Sequence, residues 1–305
     1  LELKWVLQNQ VFGAWQSNPI IVDGVMYVTE RPNSVMAVDA VTGRVYWKYR
    51  HQNADNALVC CGANNRGVAV LNDKVYMGTL DAHLVALDRV NGQLLWEAEV
   101  GDVNLAYSVT MAPLAVKDKI LVGVGGGEFG IRGYVAAFNA ETGEQAWKTY
   151  TIPGPGEANH DSWEGDDWEH GGAPVWITGS FDSDLNLTYW GVGNPGPDWN
   201  AGQRPGDNLY SDSAIALDAD TGELKWYFQF TPNDAYDYDS VQVPVLADME
   251  WRGEAKKVMM WANRNGYFYV LDRTNGQFLE GKPYVKVNWS SGLDENGRPI
   301  PSPQP

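Results

Sequence analysis

The segment ALDRVNGQLLW, residues 86–96, decides the fold. A short apolar strand runs into Asp88, an Asn-Gly pair turns the chain, and a second strand ends on Trp96. Glycine takes the positive φ that such a turn requires, and an Asp or Asn side chain can bond the turn backbone. The pattern recurs as AVDAVTGRVYW (37–47), AFNAETGEQAW (137–147) and ALDADTGELKW (216–226). A fifth copy, VLDRTNGQFLE (270–280), puts Glu280 where the tryptophan should be. Further strand pairs precede the motifs, as in PIIVDGVMYVT (19–29), VAVLNDKVYMGT (68–79) and LAVKDKILVGV (114–124).

The motif tryptophans fall 49, 51 and 79 residues apart, so the unit is a repeat of three or four strands. A period of about 50 residues in an all-β sequence is the signature of β-propeller blades. A tandem of β-sandwiches would not explain why one turn and one tryptophan recur once per unit. The tryptophan reads as a packing residue that fills the gap between radially arranged, twisted sheets. The 79-residue interval contains an insertion, residues 149–174, TYTIPGPGEANHDSWEGDDWEHGGAP. Its Gly, Pro, Asp and Trp content predicts irregular structure, and a loop of this length in a compact fold is usually functional. We expect it to lie over the funnel of a single propeller domain spanning residues 1–305.

With 305 residues and 44% hydrophobic content, the chain can bury a large core. A formal charge of −17 without a basic cluster argues against nucleic acid and anionic membranes as partners. No apolar run approaches the roughly 18 residues of a membrane span, and no charged-then-apolar leader opens the sequence, which suits a mature or truncated secreted chain. The four histidines, His51, His83, His160 and His170, have no metal-ligand spacing. Neither a nucleophile-His-Asp arrangement nor a phosphate-binding P-loop is present, and no C-x-x-C-H haem motif occurs.

Chemistry is concentrated in four loops. CCGANNRG (60–67) holds the two cysteines of the chain side by side, with Arg66 five residues on. A disulfide between sequence neighbours would close a tight ring across one peptide, with a Cα separation of about 3.8 Å, below the usual range. Such a ring suits the wall of a ligand pocket; two buried thiols are the alternative. GVGGGEFGIRG (123–133) carries Glu128 among glycines that would let a flat ligand approach the backbone. Alternatively it is a solvated turn. GVGNPGPDWN (191–200) offers Asn194, whose amide oxygen suits a hard cation, though Asn-Pro also opens ordinary turns. TPNDAYDYDSVQVP (231–244) carries Asp234, Asp237 and Asp239. On an extended segment Asp237 and Asp239 would point to one side, where two carboxylates repel unless a cation or proton lies between them; an acidic surface turn is the other reading.

In combination, these motifs resemble the quinoprotein alcohol dehydrogenases, the methanol and ethanol dehydrogenases that use pyrroloquinoline quinone (PQQ). The resemblance runs from the first repeat to the fifth. It implies an eight-bladed propeller that holds PQQ between a vicinal disulfide, Cys60–Cys61, and a stacked tryptophan, Trp176 of GGAPVWITGSFD. Arg66 and Thr110 match cofactor contacts, Gly125, Gly126 and Gly127 match backbone contacts, and Gln16 stands where the family has a glutamate near the cofactor. Glu128 and Asn194 match metal ligands, Asp237 the catalytic base at the metal, and Arg264 the arginine near the reactive quinone oxygens. Asp239, two positions after the base, matches the extra carboxylate of lanthanide-dependent members, whereas calcium-dependent members have a small or neutral residue there. An added carboxylate favours a trivalent cation because the Coulomb gain scales with charge.

The implied reaction is oxidation of a small primary alcohol to the aldehyde by hydride transfer to C5 of metal-bound PQQ. The implied metal is a lanthanide, with Ca²⁺ as the alternative. The implied electron acceptor is a periplasmic cytochrome c, the implied location is the periplasm, and a homodimer is admitted. Three glycines precede Glu128 where the family has Ser-Gly-Ala. Five motifs stand against eight family blades, so the chain reads as part of a longer propeller. Rival readings are a PQQ-dependent polyol or sugar dehydrogenase, which differs in pocket shape, and a non-enzymatic propeller scaffold, which would need neither the cysteine pair nor the acidic set.

Overall fold

A computed structural model describes residues 2–302. Among these residues, five four-stranded antiparallel meanders follow one another along the chain. Strands β1–β4 are Ile20–Val22, Val25–Glu30, Ser34–Asp39 and Val45–Arg50; β5–β8 are Ala69–Leu71, Lys74–Gly78, His83–Asp88 and Leu94–Glu99. The third sheet contains β9–β12 (Leu114–Val116, Lys119–Gly123, Tyr134–Asn139, Gln145–Tyr150), and the fourth β13–β16 (Ser180–Asp182, Leu187–Gly191, Ser213–Asp218, Leu224–Gln229). The fifth is β17–β20 (Val245–Trp251, Glu254–Ala262, Tyr267–Asp272, Phe278–Pro283), followed by a two-stranded ribbon, β21–β22 (Ser290–Leu293, Pro299–Pro301). Each repeat motif joins the third and fourth strands of its sheet, so the predicted unit of three or four strands has four.

The motif residues make the same turn each time. The Asp39 carboxylate accepts hydrogen bonds from Val41 N and Thr42 N, and Gly43 N donates to Asp39 O. Asp88, Asn139 and Asp218 repeat this set. The turn glycines Gly43, Gly92, Gly143, Gly222 and Gly276 all have φ between 74° and 78°, which is the left-handed region that L-residues avoid. A register shift falls one or two residues before Asp39, Asp88, Asp218 and Asp272, for example between Ala86 and Leu87.

The chain divides into two compact units, residues 1–126 with 136–147, and residues 127–135 with 148–305. Within the first unit, Trp47 lies on the next turn: its Nε1 donates to Arg89 O at 3.1 Å, and a Cβ on Gly92 would sit 2.5 Å from its ring. Trp96 does the same at Ala140 O and Gly143, and within the second unit Trp226 does so at Arg273 O and Gly276. The tryptophan therefore needs both a bare glycine to lie on and a carbonyl to bond. Trp5 makes the same contacts, with Ala40 O and Gly43. Glu280, in the tryptophan position of the fifth copy, ion-pairs with Arg252 and Lys282 instead.

Each unit has its own core. Tyr27, Val35, Val75, Met77, Val85 and Leu87 pack in the first, and Tyr189, Phe230, Met259, Trp261 and Tyr269 in the second. The insertion is more ordered than its composition predicts. Strand β12 takes its first two residues, and single 3-10 turns form at His160–Ser162 and Asp167–Glu169. Trp163 is buried and donates to Leu209 O at 2.5 Å, while Asn208 N donates to Ser162 O, so the insertion is tied down by its own tryptophan. Among the described residues, no helix is long and apolar enough to cross a membrane.

Candidate active site

In the first unit, Cys60 and Cys61 form a disulfide, with Cα atoms 3.8 Å apart; the paired reading of CCGANNRG therefore holds over the two-thiol alternative. Cys61 has φ +62° and lies exposed. The asparagines that follow hold the loop. Asn64 Nδ2 donates to Cys61 O, while Asn65 Nδ2 donates to Gly78 O and its Oδ1 accepts from Gly67 N. This places Arg66 against Thr110, with Arg66 N on Thr110 O at 3.1 Å and Arg66 Nη1 on Thr110 Oγ1 at 2.7 Å. Two residues predicted to contact one cofactor, 44 positions apart in sequence, are thus paired. Gly125 bonds Ser108 in both directions, and a Cβ there would lie 3.0 Å from Ser108 Oγ. Glycine at 125 thus serves protein packing, whereas Gly126 is needed for its φ of +118°. Gln16 is exposed.

In the second unit, Trp176, Asn194 and Arg264 converge on Asp239. Residues 173–174 and 193–194 bond each other through Ala173 N to Asn194 O and Gly193 N to Pro174 O. Asp239, 7% exposed, accepts at Oδ1 from Trp176 Nε1 and Asn194 N, both at 3.2 Å, and meets Arg264 Nη1 at Oδ2, also at 3.2 Å. A Cβ on Gly193 would be 2.6 Å from Asp239 Oδ1, so this approach requires glycine. Gly127 likewise has Pro174 where a Cβ would go. Asn194 is buried, and its Nδ2 donates to Asp198 Oδ1 at 2.7 Å. No hydrogen bond reaches Asn194 Oδ1 among the described residues, so Asp198 aims that oxygen as a free ligand atom. Sequence reading missed Asp198; its place four residues after Asn194, in the same NPGPD run, was the available signal.

The extended-segment expectation for Asp237 and Asp239 is corrected. Residues 231–244 form no strand, and both aspartates have left-handed backbone, with φ of +58° and +51°. Asp234 shapes the loop instead, because its carboxylate accepts from Tyr236 N and Tyr238 N. The two side chains still act on each other. Burial first, then the charge of Asp237, push the Asp239 carboxyl up to about 7 against the pull of Trp176 and Arg264. Burial and Asp198 push Asp237 up to about 6, with Asp234 and Glu128 adding to it and Arg264 opposing. Glu128 is raised by burial and by Asp198.

These carboxyls repel one another around a single guanidinium, and a cation among them would relieve the repulsion. Carboxylate and amide oxygens are the donor set of a hard cation. Asp239 can join it, since three donors leave part of a carboxylate's roughly four lone-pair sites open. The residues present therefore fit a metal ion.

The family model for the PQQ glucose/ethanol/alcohol dehydrogenase β-propeller domain matches residues 6–288. The chain belongs to this family. It is 45% identical over 303 residues to the quinoprotein alcohol dehydrogenase PedH of Pseudomonas putida, covering 93% of this chain and 51% of that protein. It is 39% identical over 331 residues to a lanthanide-dependent methanol dehydrogenase of Methylacidiphilum fumariolicum, covering 100% of this chain and 54% of that protein. Among solved structures, quinohemoprotein alcohol dehydrogenase ADHIIG of Pseudomonas putida superposes with a TM-score of 0.91 at 42% identity, covering 96% of this chain and 46% of that one. A europium-containing methanol dehydrogenase superposes with a TM-score of 0.88 at 39% identity, covering 93% and 54%. The chain spans about half the length of the curated relatives it matches. The four-stranded meanders are thus blades of a PQQ-dehydrogenase β-propeller.

Proposed function

We propose that the protein oxidises a primary alcohol to the aldehyde, using PQQ and a lanthanide ion. The observation that carries this reading is the convergence of Trp176, Asn194 and Arg264 on Asp239 beside the charge of Asp237, whose carboxyl Glu128 in turn pushes up. When bound, PQQ with its metal supplies the hydride acceptor and the Lewis acid. Cofactor contacts are assigned to the Cys60–Cys61 disulfide, Arg66, Thr110, Gly125, Gly126 and Gln16 of the first unit, and to Gly127 and Trp176 of the second. Glu128, Asn194, Asp237 and Asp239 would hold the metal, with Asp239 favouring a trivalent ion over Ca²⁺.

Asp237 takes the alcohol proton as general base. It is mostly ionised above pH of about 6, a state that the Arg264 charge favours. Arg264 also holds Asp239 in place through Nη1. Electrons pass to a cytochrome c in the periplasm, a compartment in which a disulfide persists. The test is dye-linked oxidation of ethanol by the full-length protein loaded with PQQ and La³⁺. Asp237→Asn should lower kcat by about 10²-fold or more while PQQ still binds. An unchanged kcat would remove Asp237 from the mechanism, and turnover of sugars but not ethanol would favour the polyol or sugar dehydrogenase reading.

A further inference from the structure

Behind the candidate metal ligands of the second unit lies a group of ionisable residues that the reaction does not use. Asp212, Asp234 and Arg204 are 0%, 1% and 1% exposed. Arg204 makes no ion pair with either carboxylate. Its Nη1 bonds Asn208 Oδ1, its Nε bonds Pro197 O, and its Nη2 bonds the backbone carbonyls of Asp198 and Asp234. The guanidinium thus ties the loop after Asn194 to the loop before Asp237. Two ionised carboxylates beside one guanidinium would leave a net negative charge buried without a partner, which is strongly unfavourable.

Hydrogen bonding shows which carboxyl holds a proton. Asn263 Nδ2 donates to Ser240 Oγ at 2.9 Å, which leaves the Ser240 hydroxyl free to donate to Asp212 Oδ1 at 3.3 Å. Asp212 Oδ2 is buried with no donor directed at it. Such an orphan is costly as an acceptor and is satisfied if it is itself a donor. The Asp212 and Asp234 side chains interact directly, and the Asp234 carboxylate already accepts from Tyr236 N and Tyr238 N. Asp234 is therefore the acceptor of the pair.

We propose that Asp212 is a neutral carboxylic acid whose Oδ2–H donates to the Asp234 carboxylate, and that this pair positions the loop presenting Asp237 and Asp239. Burial and the neighbouring Asp234 and Asp239 charges push the Asp212 carboxyl well above its ordinary range, in agreement with this assignment. The proposal predicts an asymmetry between two isosteric changes. Asp212→Asn keeps a donor toward Asp234, whereas Asp234→Asn must turn an NH₂ group toward one of the Tyr236 or Tyr238 amides.

The role of the loop rests on the metal-site reading above, but the protonation state does not, so the test has two arms. In the first, infrared difference spectra of the full-length, metal-free protein are recorded at pH 8.5, where Asp237 and Asp239 are ionised. A protonated-carboxyl C=O band should be present in the wild type and absent in Asp212→Asn. Absence of the band from the wild type, or its survival in Asp212→Asn, would overturn the proposal. In the second, La³⁺ titrations should give Asp212→Asn a Kd within about threefold of wild type and Asp234→Asn a Kd at least tenfold weaker. Equal losses in both variants would overturn the positioning role. If La³⁺ does not bind the wild type while the band behaves as expected, the metal reading fails. Thermal melts of the two variants then decide: a smaller loss of Tm in Asp212→Asn upholds the pair and equal losses overturn it.

Discussion

Gly92→Ala tests the device that repeats along the propeller. Gly92 has φ +74°, and a Cβ there would lie 2.5 Å from Trp47 Cε3 and 2.7 Å from its Cδ2. The left-handed backbone alone costs an alanine about 1–2 kcal/mol. Forcing a methyl into the indole face adds an overpacking cost of about 1–3 kcal/mol. Gly24 in the same unit supplies the control, because its φ is +77° and a Cβ there would meet nothing within 4 Å. Gly24→Ala should therefore cost only the backbone term. In urea unfolding of the full-length protein, with a slope of about 1–3 kcal/mol per molar, the extra loss of about 2 kcal/mol should separate the two midpoints by about 1 M. In a Trp47→Ala background the difference should vanish, since the ring that the methyl strikes is gone. Equal midpoints for Gly92→Ala and Gly24→Ala in the wild-type background would refute the reasoning, because the turn glycine would then matter only for its φ.

Metal-free protein should lose stability as pH rises from about 4 to 8. In the folded state Asp239 and Asp237 titrate at about 7 and about 6, above the ordinary 3.8 of an aspartate. The folded state therefore binds more protons than the unfolded chain across this window, and raising the pH favours unfolding. His83, raised by its hydrogen bond to Asp81, acts in the same direction. Thermal melts in chelator at pH 5 and pH 8 check this, and a higher Tm at pH 8 would contradict it. Asp198→Ala removes the group that aims Asn194 Oδ1 but keeps the backbone carbonyl that Arg204 binds. La³⁺ affinity should fall about 10–100-fold by calorimetry, and an unchanged affinity would show that Asn194 needs no orienting partner.

The parts of the fold that were legible in sequence are those fixed by local chemistry. Asp88, Gly92 and Trp96 each act within a dozen residues or on the equivalent turn of the next repeat, so recurrence alone exposed the blades. Arg66 and Thr110 were legible only through family resemblance, because 44 residues separate them. The left-handed backbone at Asp237 and Asp239 was hidden, since Asp234 imposes it through hydrogen bonds that no periodicity signals. Asp198, Arg204 and Asp212 were likewise hidden, because their roles come from side chains that meet only after the loops around 196, 208 and 236 have folded. The order of the 149–174 insertion was underestimated because it depends on one tryptophan, Trp163, finding a carbonyl at Leu209.

The central claim, a site built around Asp239 for a trivalent cation, is tested most directly by titrating full-length wild type and Asp239→Ala with La³⁺ and with Ca²⁺, following binding by calorimetry and dye-linked ethanol oxidation in the PQQ-loaded protein. The account predicts that wild type binds La³⁺ more tightly than Ca²⁺ and turns over with it, and that Asp239→Ala loses more La³⁺ affinity than Ca²⁺ affinity. Equal affinity of wild type for the two ions, or an Asp239→Ala variant that binds La³⁺ as wild type does, would contradict it.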